Sequence, residues 1–74
     1  MINKDIRFKY TIIEEMKKRN ITTYTIRQTK LISESTLQNL REGKSITLAS
    51  MYTISKAMGI TLNELMNYIE PIEN

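Results

Sequence analysis

Glu34, Ser35, Gln38, Asn39 and Glu42 carry the most specific chemistry in this 74-residue sequence. They lie in the segment SESTLQNLREGK, interleaved with Leu37 and Leu40. On a helix turning about 100° per residue, Ser35, Gln38, Asn39 and Glu42 fall opposite the two leucines, and Glu34 sits at the exposed leading end. Gln and Asn can pair bidentately with adenine, Ser donates to or accepts from several bases, and Glu accepts from the cytosine amino group. A row of this kind suits the reading of base edges. It is also what the outer face of an ordinary surface helix carries, so the row alone does not separate the two readings.

Other chemistry is poorly supplied. The chain has no histidine and no cysteine, which removes the commonest general base, the thiol nucleophile and the usual metal ligands. Glu14 and Glu15 are adjacent and would diverge by about 100° on a helix, so they cannot converge on a substrate. There is no glycine-rich phosphate loop and no acidic calcium-type loop. The expectation is a protein that is not an enzyme and needs no cofactor, metal or small-molecule ligand.

The polar row needs a scaffold. Two glycines and one proline in 74 residues favour an all-helical single domain with short turns. Residues 1–4 read as a loose arm. Asp5 to Arg19 reads as a first helix, with Ile6, Tyr10, Ile12, Ile13 and Met16 inward and Phe8 off the stripe. The Lys17–Arg19 run suits a helix C-terminus, and Asn20 a left-handed cap. Thr22 or Thr23 caps a second helix, Tyr24 to Lys30, with Ile26 inward. Leu31 and Ile32 form a turn. Ser33 caps the third helix, Glu34 to Glu42, and Gly43 ends it. Thr47 caps the fourth, Leu48 to Met58, with Leu48, Met51, Ile54 and Met58 inward and Ala57 available for close approach. Thr61 and Glu64 form a capping box for the fifth, Leu62 to Tyr68. The coda, residues 69–74, is more apolar than a free tail needs.

Charge is unevenly placed. Residues 1–44 hold ten Lys/Arg against five Asp/Glu, and residues 45–74 hold one against three. A basic first part suits an anionic partner, although a net +3 is also ordinary for a solvated surface. Beside the third helix lie candidate phosphate anchors: the amides that open the second helix, the hydroxyls of Thr22 and Thr23, and Gly43, Lys44 and Ser45. Lys4, Arg7 and Lys9 can add contacts from the arm. No apolar run approaches the roughly 18 residues that a membrane helix requires, and the N-terminus lacks a signal-peptide core. A cytoplasmic protein is expected.

The stretch ITTYTIRQTKLISESTLQNLREGK followed by ITLASMYTISKAMGITLNELM resembles the helix-turn-helix domain of phage repressors, Cro proteins and xenobiotic-response-element-type regulators. The likeness covers Ile12 to Met66. It includes the ladder Leu48, Met51, Ile54, Ala57, Gly59, Ile60, Leu62 and Leu65. The resemblance implies a five-helix, lambda-repressor-like fold, usually dimeric, with the third helix in the major groove. It places Glu34, Ser35, Gln38 and Asn39 at base-reading positions and Thr36 near the backbone or a base, and sets Thr23 against phosphate. Ser33 and Ser45 belong to the same expected set of DNA-binding residues. Three positions depart from the family pattern: Thr23 replaces a frequent Gln, Arg27 a small residue, and Leu31 a turn Gly. Arg27 must therefore turn outward or snorkel, and Leu31 must avoid or tolerate a left-handed conformation.

These features lead to a double-stranded-DNA-binding regulator, a repressor, working as a homodimer. The dimer surface is Met66, Tyr68, Ile69 and Ile72, unless these residues fold onto their own core. The rival reading is a protein-interaction module, antitoxin-like or an anti-repressor partner, that keeps the fold without reading DNA.

Overall fold

The sequence folds, in a computed structural model, into five helices and one pair of short strands, described over residues 6–72. The expected arm at residues 1–4, Lys4 included, lies outside the described residues. Strand β1 spans Arg7–Tyr10 and is followed by α1 (Ile12–Lys18), α2 (Thr23–Thr29), α3 (Glu34–Glu42), α4 (Leu48–Met58) and α5 (Leu62–Leu65). A 3-10 turn over Met66–Tyr68 extends α5, and strand β2 (Ile69–Ile72) follows. No helix of the described residues is long and apolar enough to cross a membrane.

Four of the five helices start where a side-chain oxygen can satisfy a free amide. Thr22 accepts from the Thr25 amide, Ser33 from Thr36, Thr47 from Ser50 and Thr61 from Glu64, and each cap residue is extended. Glu64 returns a bond to the Thr61 amide and completes the capping box. Such a cap is worth about 1 kcal/mol. Asn20, Gly43 and Gly59 take left-handed conformations at helix ends, as expected. Lys18 and Arg19 both bond Glu15 one turn back, a structural use of the basic run.

The first helix is shorter than expected. It begins at Ile12, and residues 7–10 form a strand antiparallel to residues 69–72. Alternation explains the difference: Arg7 and Lys9 are exposed while Phe8 and Tyr10 are half-buried, a period of two. Phe8, which fits no helical stripe, stacks on the same strand face as Tyr10 with ring centroids 5.8 Å apart. The coda is likewise not a tail, because its first four residues supply the partner strand. Phe8 lies opposite Pro71, which has no N–H to donate. The Phe8 amide turns away from that strand and donates to the Gly43 carbonyl at 2.8 Å.

The core is built from Ile12, Met16, Ile26, Leu37, Leu40, Ile54, Met58 and Leu65. Helix α4 presents a slightly different face from the expected one. Leu48 is 66% exposed and Ala57 is exposed, while Ser55 is 1% exposed. Leu48 opens the helix before the packed turns begin. Ser55 enters the core because its hydroxyl donates to the Tyr52 carbonyl at 2.8 Å, so no polar atom is left unpaired.

Candidate nucleic-acid interface

Helices α2 and α3 are joined by the turn 30–33, and Lys30, not Leu31, takes the left-handed conformation there (φ 53°, ψ 39°). The shift of one residue leaves Leu31 free to pack half-buried against the core, with its amide donating to the Ile26 carbonyl at 3.1 Å. Ile32 packs beside it. The turn thus holds α3 by its apolar residues and puts the strained position on an exposed lysine.

Burying Leu37 and Leu40 turns the other face of α3 outward. Glu34, Ser35, Gln38, Arg41 and Glu42 are exposed, and Thr36 and Asn39 are half-buried. The expected base-reading residues therefore share one surface, with Asn39 at its margin. Each is already hydrogen-bonded. The Ser33 hydroxyl lies 3.0 Å from that of Ser35 and 2.9 Å from that of Thr36. Gln38 donates to the Glu42 carboxylate. Asn39 donates to the Ser45 carbonyl at 3.3 Å, which braces the loop leaving the helix.

The two acids on this face do not stand alone. Arg27 Nε donates to Glu34 Oε2 at 3.0 Å across the turn. Lys44 Nζ lies 3.0 Å from Glu42 Oε1. The Gln38 amide, then Lys44, hold the Glu42 carboxyl below the usual carboxylate range. Repulsion of a phosphate chain by either acid is offset locally by its cation. Arg27 turns outward, one of the two expected options, and forms this ion pair.

The exit loop is clamped from the other end of the chain. Arg7 Nη1 donates to the Glu42 carbonyl at 3.2 Å, and the Tyr10 hydroxyl donates to the Lys44 carbonyl at 2.7 Å. Burial raises the Tyr10 pKa, so the phenol stays a donor at neutral pH. With the Phe8 bond to Gly43, strand β1 grips three consecutive residues, 42–44. Sequence spacing held no signal for this contact, because the partners are about 35 residues apart.

Thr22 and Thr23 sit at the start of α2, where Thr22 is the cap, Thr23 is half-buried and Tyr24 beside them is 72% exposed. Tyr24 and Arg41 lie outside the set of expected contact residues. Both are large donors exposed on the two helices, visible only once the burial of Ile26 and Leu40 fixes the helix rotations.

The four residues expected at a dimer surface do not form one patch. Paired strand residues share a face, so Ile69 lies with Tyr10 and Ile72 with Arg7 on the opposite side. Tyr68 and Ile69 pack against the core, whereas Met66 is 49% and Ile72 47% exposed. Met66 and Ile69 line an open apolar groove of about 190 Å³ with Phe8, Tyr10, Ser45, Ile46 and Met51.

Residues 11–71 match the family model of the Cro/C1-type helix-turn-helix DNA-binding domain. No curated protein matches the sequence. The fold is similar to the crystal structure of the transcriptional regulator VanUg, with a TM-score of 0.72, 16% identity, and coverage of 100% of this chain and 96% of that one. At that identity the likeness is one of fold.

Proposed function

The chain belongs to the Cro/C1-type helix-turn-helix DNA-binding domain family, and from that membership we propose a sequence-specific regulator of transcription, a repressor, that lays α3 in the major groove. One observation carries the reading. Helix α3 is capped at Ser33, anchored inward by Leu37 and Leu40, and presents Glu34, Ser35 and Gln38 outward with Lys44 just beyond its end. That order suits base edges in the groove and a phosphate at its lip. The pairing of Glu34 with Arg27 and of Glu42 with Lys44 supports it, since each acid carries its own cation toward the polyanion.

Within this proposal Glu34, Ser35 and Gln38 read bases, with Tyr24 and the Thr22–Thr23 cap on one phosphate strand and Lys44 and Ser45 on the other. Asn39 joins the readers when its amide leaves the Ser45 carbonyl. Two copies would read half-sites about one helical turn apart, roughly 34 Å, and the groove beside Met66 is the surface proposed for their contact. Selection of bound duplexes from a random pool tests the reading. Enrichment of a palindrome with that half-site spacing is the expected result. A pool that stays random would leave a protein-interaction role for the same fold.

A further inference from the structure

The Arg27–Glu34 ion pair is the one side-chain bridge across the turn between α2 and α3 among the described residues. We propose that Arg27 sets the base preference of α3 by positioning Glu34, an inference that rests on the DNA-reading function above. Arg27 comes from the last turn of α2 and Glu34 is the first residue of α3, so the contact spans both helices of the motif. Only Nε is used, at 3.0 Å. Arginine has further donors in the same plane, and these stay available while the carboxylate is held.

Three physical consequences point the same way. Glu34 is a flexible side chain, 70% exposed. An unpaired carboxylate there would sample many positions and lose rotamer freedom on binding. Bonded to Arg27, it is biased toward one orientation, and preorganisation of that kind is how contact geometry becomes selectivity. A lone carboxylate beside DNA is also repelled by phosphate, and the guanidinium cancels most of that charge. Finally, a fixed carboxylate accepts from the cytosine amino group but opposes the acceptor oxygens of guanine and thymine. The pair borders an open groove of about 460 Å³ lined by Arg27, Lys30, Ile32, Ser33 and Glu34, so a base edge or phosphate has room to approach it. Arg27 is thus a positioning residue, and the base reader is Glu34.

The test is selection from a random duplex pool, with affinities over a salt series, for the wild type, Arg27→Ala, Arg27→Lys, Glu34→Gln and the Arg27→Ala/Glu34→Gln double variant. Circular dichroism confirms folding of each. Arg27→Ala and Glu34→Gln are expected to flatten preference at the same base pair of each half-site, by about tenfold, the scale of one base contact. The double variant should lose no more than Glu34→Gln alone. Arg27→Lys should keep the salt slope of the wild type yet also lose preference there, because an ammonium lacks the planar fork. An Arg27→Ala variant that keeps the motif but weakens all sequences with a shallower salt slope would make Arg27 a phosphate contact and overturn the proposal. A motif unchanged in Glu34→Gln would overturn it too. A wild type that enriches nothing would remove the DNA-reading function itself, and this inference with it.

Discussion

The Phe8 amide donates to the Gly43 carbonyl across 2.8 Å, which fastens the first strand to the residue that ends α3. A helix offered to a partner is only as precise as its ends. Ser33 fixes the leading end of α3 by its cap. Strand β1 fixes the trailing end, and β1 is in turn held by β2. The candidate surface is therefore supported by residues from both extremes of the described chain.

Gly43 should not tolerate a side chain. Its φ is +76°, and an added Cβ would meet the Phe8 carbonyl oxygen at 2.6 Å. The left-handed backbone costs an Ala about 1 kcal/mol and the overlap about 1–3 more. Gly59 has nearly the same φ, +72°, with nothing within 4 Å of its Cβ, so Gly59→Ala should cost only about 1 kcal/mol. Urea denaturation of the two variants checks this. Equal losses would show that the clash at Gly43 relaxes freely.

Lys30 carries the turn's left-handed residue, and glycine should suit it better. Lys30→Gly should stabilise by about 0.5 kcal/mol, the relief of the backbone being partly offset by a more flexible unfolded chain. Leu31→Gly, by contrast, removes a side chain packed against the core and should destabilise by about 1–3 kcal/mol. Thermal melts of both decide which position owns the strain. A stabilised Leu31→Gly would mean that the turn prefers its left-handed residue one place later.

Much of this architecture is written locally. Ser33, Thr47 and the Thr61–Glu64 box announce their helices, and Ile26, Leu37, Leu40 and Ile54 mark the core by spacing. Strand β1 was harder to see because Ile6, Tyr10 and Ile13 also fit a helical stripe. Only Phe8 objected, and its partner strand lies some 60 residues away. Ser55 entered the core without an apolar signal, because the bond to the Tyr52 carbonyl satisfies its hydroxyl within the helix. At the candidate site the exposed row on α3 was readable from Leu37 and Leu40. The Arg27–Glu34 bridge was not, since seven residues across a turn belong to no periodicity.

Acid should weaken the fold through Glu15. Bonds from Lys18 and then Arg19 hold its carboxyl below the ordinary value of 4.5. A depressed carboxylate contributes stability above the ordinary value and loses it as pH falls through the folded one. The melting temperature should therefore drop below pH 4.5, and the drop should be shallower in Glu15→Gln. Added salt should reduce the difference, because Lys18 is exposed and Arg19 partly so. Parallel curves for the two proteins would show that Glu15 carries none of the acid sensitivity.

The proposed dimerisation through the groove would separate two exposed apolar residues that look alike in composition. Met66 lines the groove, whereas Ile72 lies across the sheet with Arg7. The outer edge of β2 offers little for strand pairing, since the Ile69 amide is used by the Met66 carbonyl and Pro71 has none. Association should therefore run through side chains. Met66→Asp should shift the protein to monomer in sedimentation, and Ile72→Asp should not. The reverse pattern would move the interface to the outer face of the sheet.

Gln38 and Lys44 should fail in different ways on DNA. Gln38 stands in the middle of the exposed row, held by Glu42, and its amide can turn from that carboxylate to an adenine edge. Gln38→Ala should cost about 1–3 kcal/mol on the preferred site and relax preference at one base pair. Lys44 lies past the helix, next to Glu42. Lys44→Ala should weaken all sequences alike and lower the salt slope by about one counterion. Asn39→Ala gives the third arm, because its amide braces the Ser45 carbonyl. As a reader that releases the loop on binding, Asn39→Ala should lose preference at a base pair distinct from the Gln38 position, and the lost brace should lower stability by about 1 kcal/mol. A variant that loses stability but keeps its base preference would leave Asn39 as a brace alone.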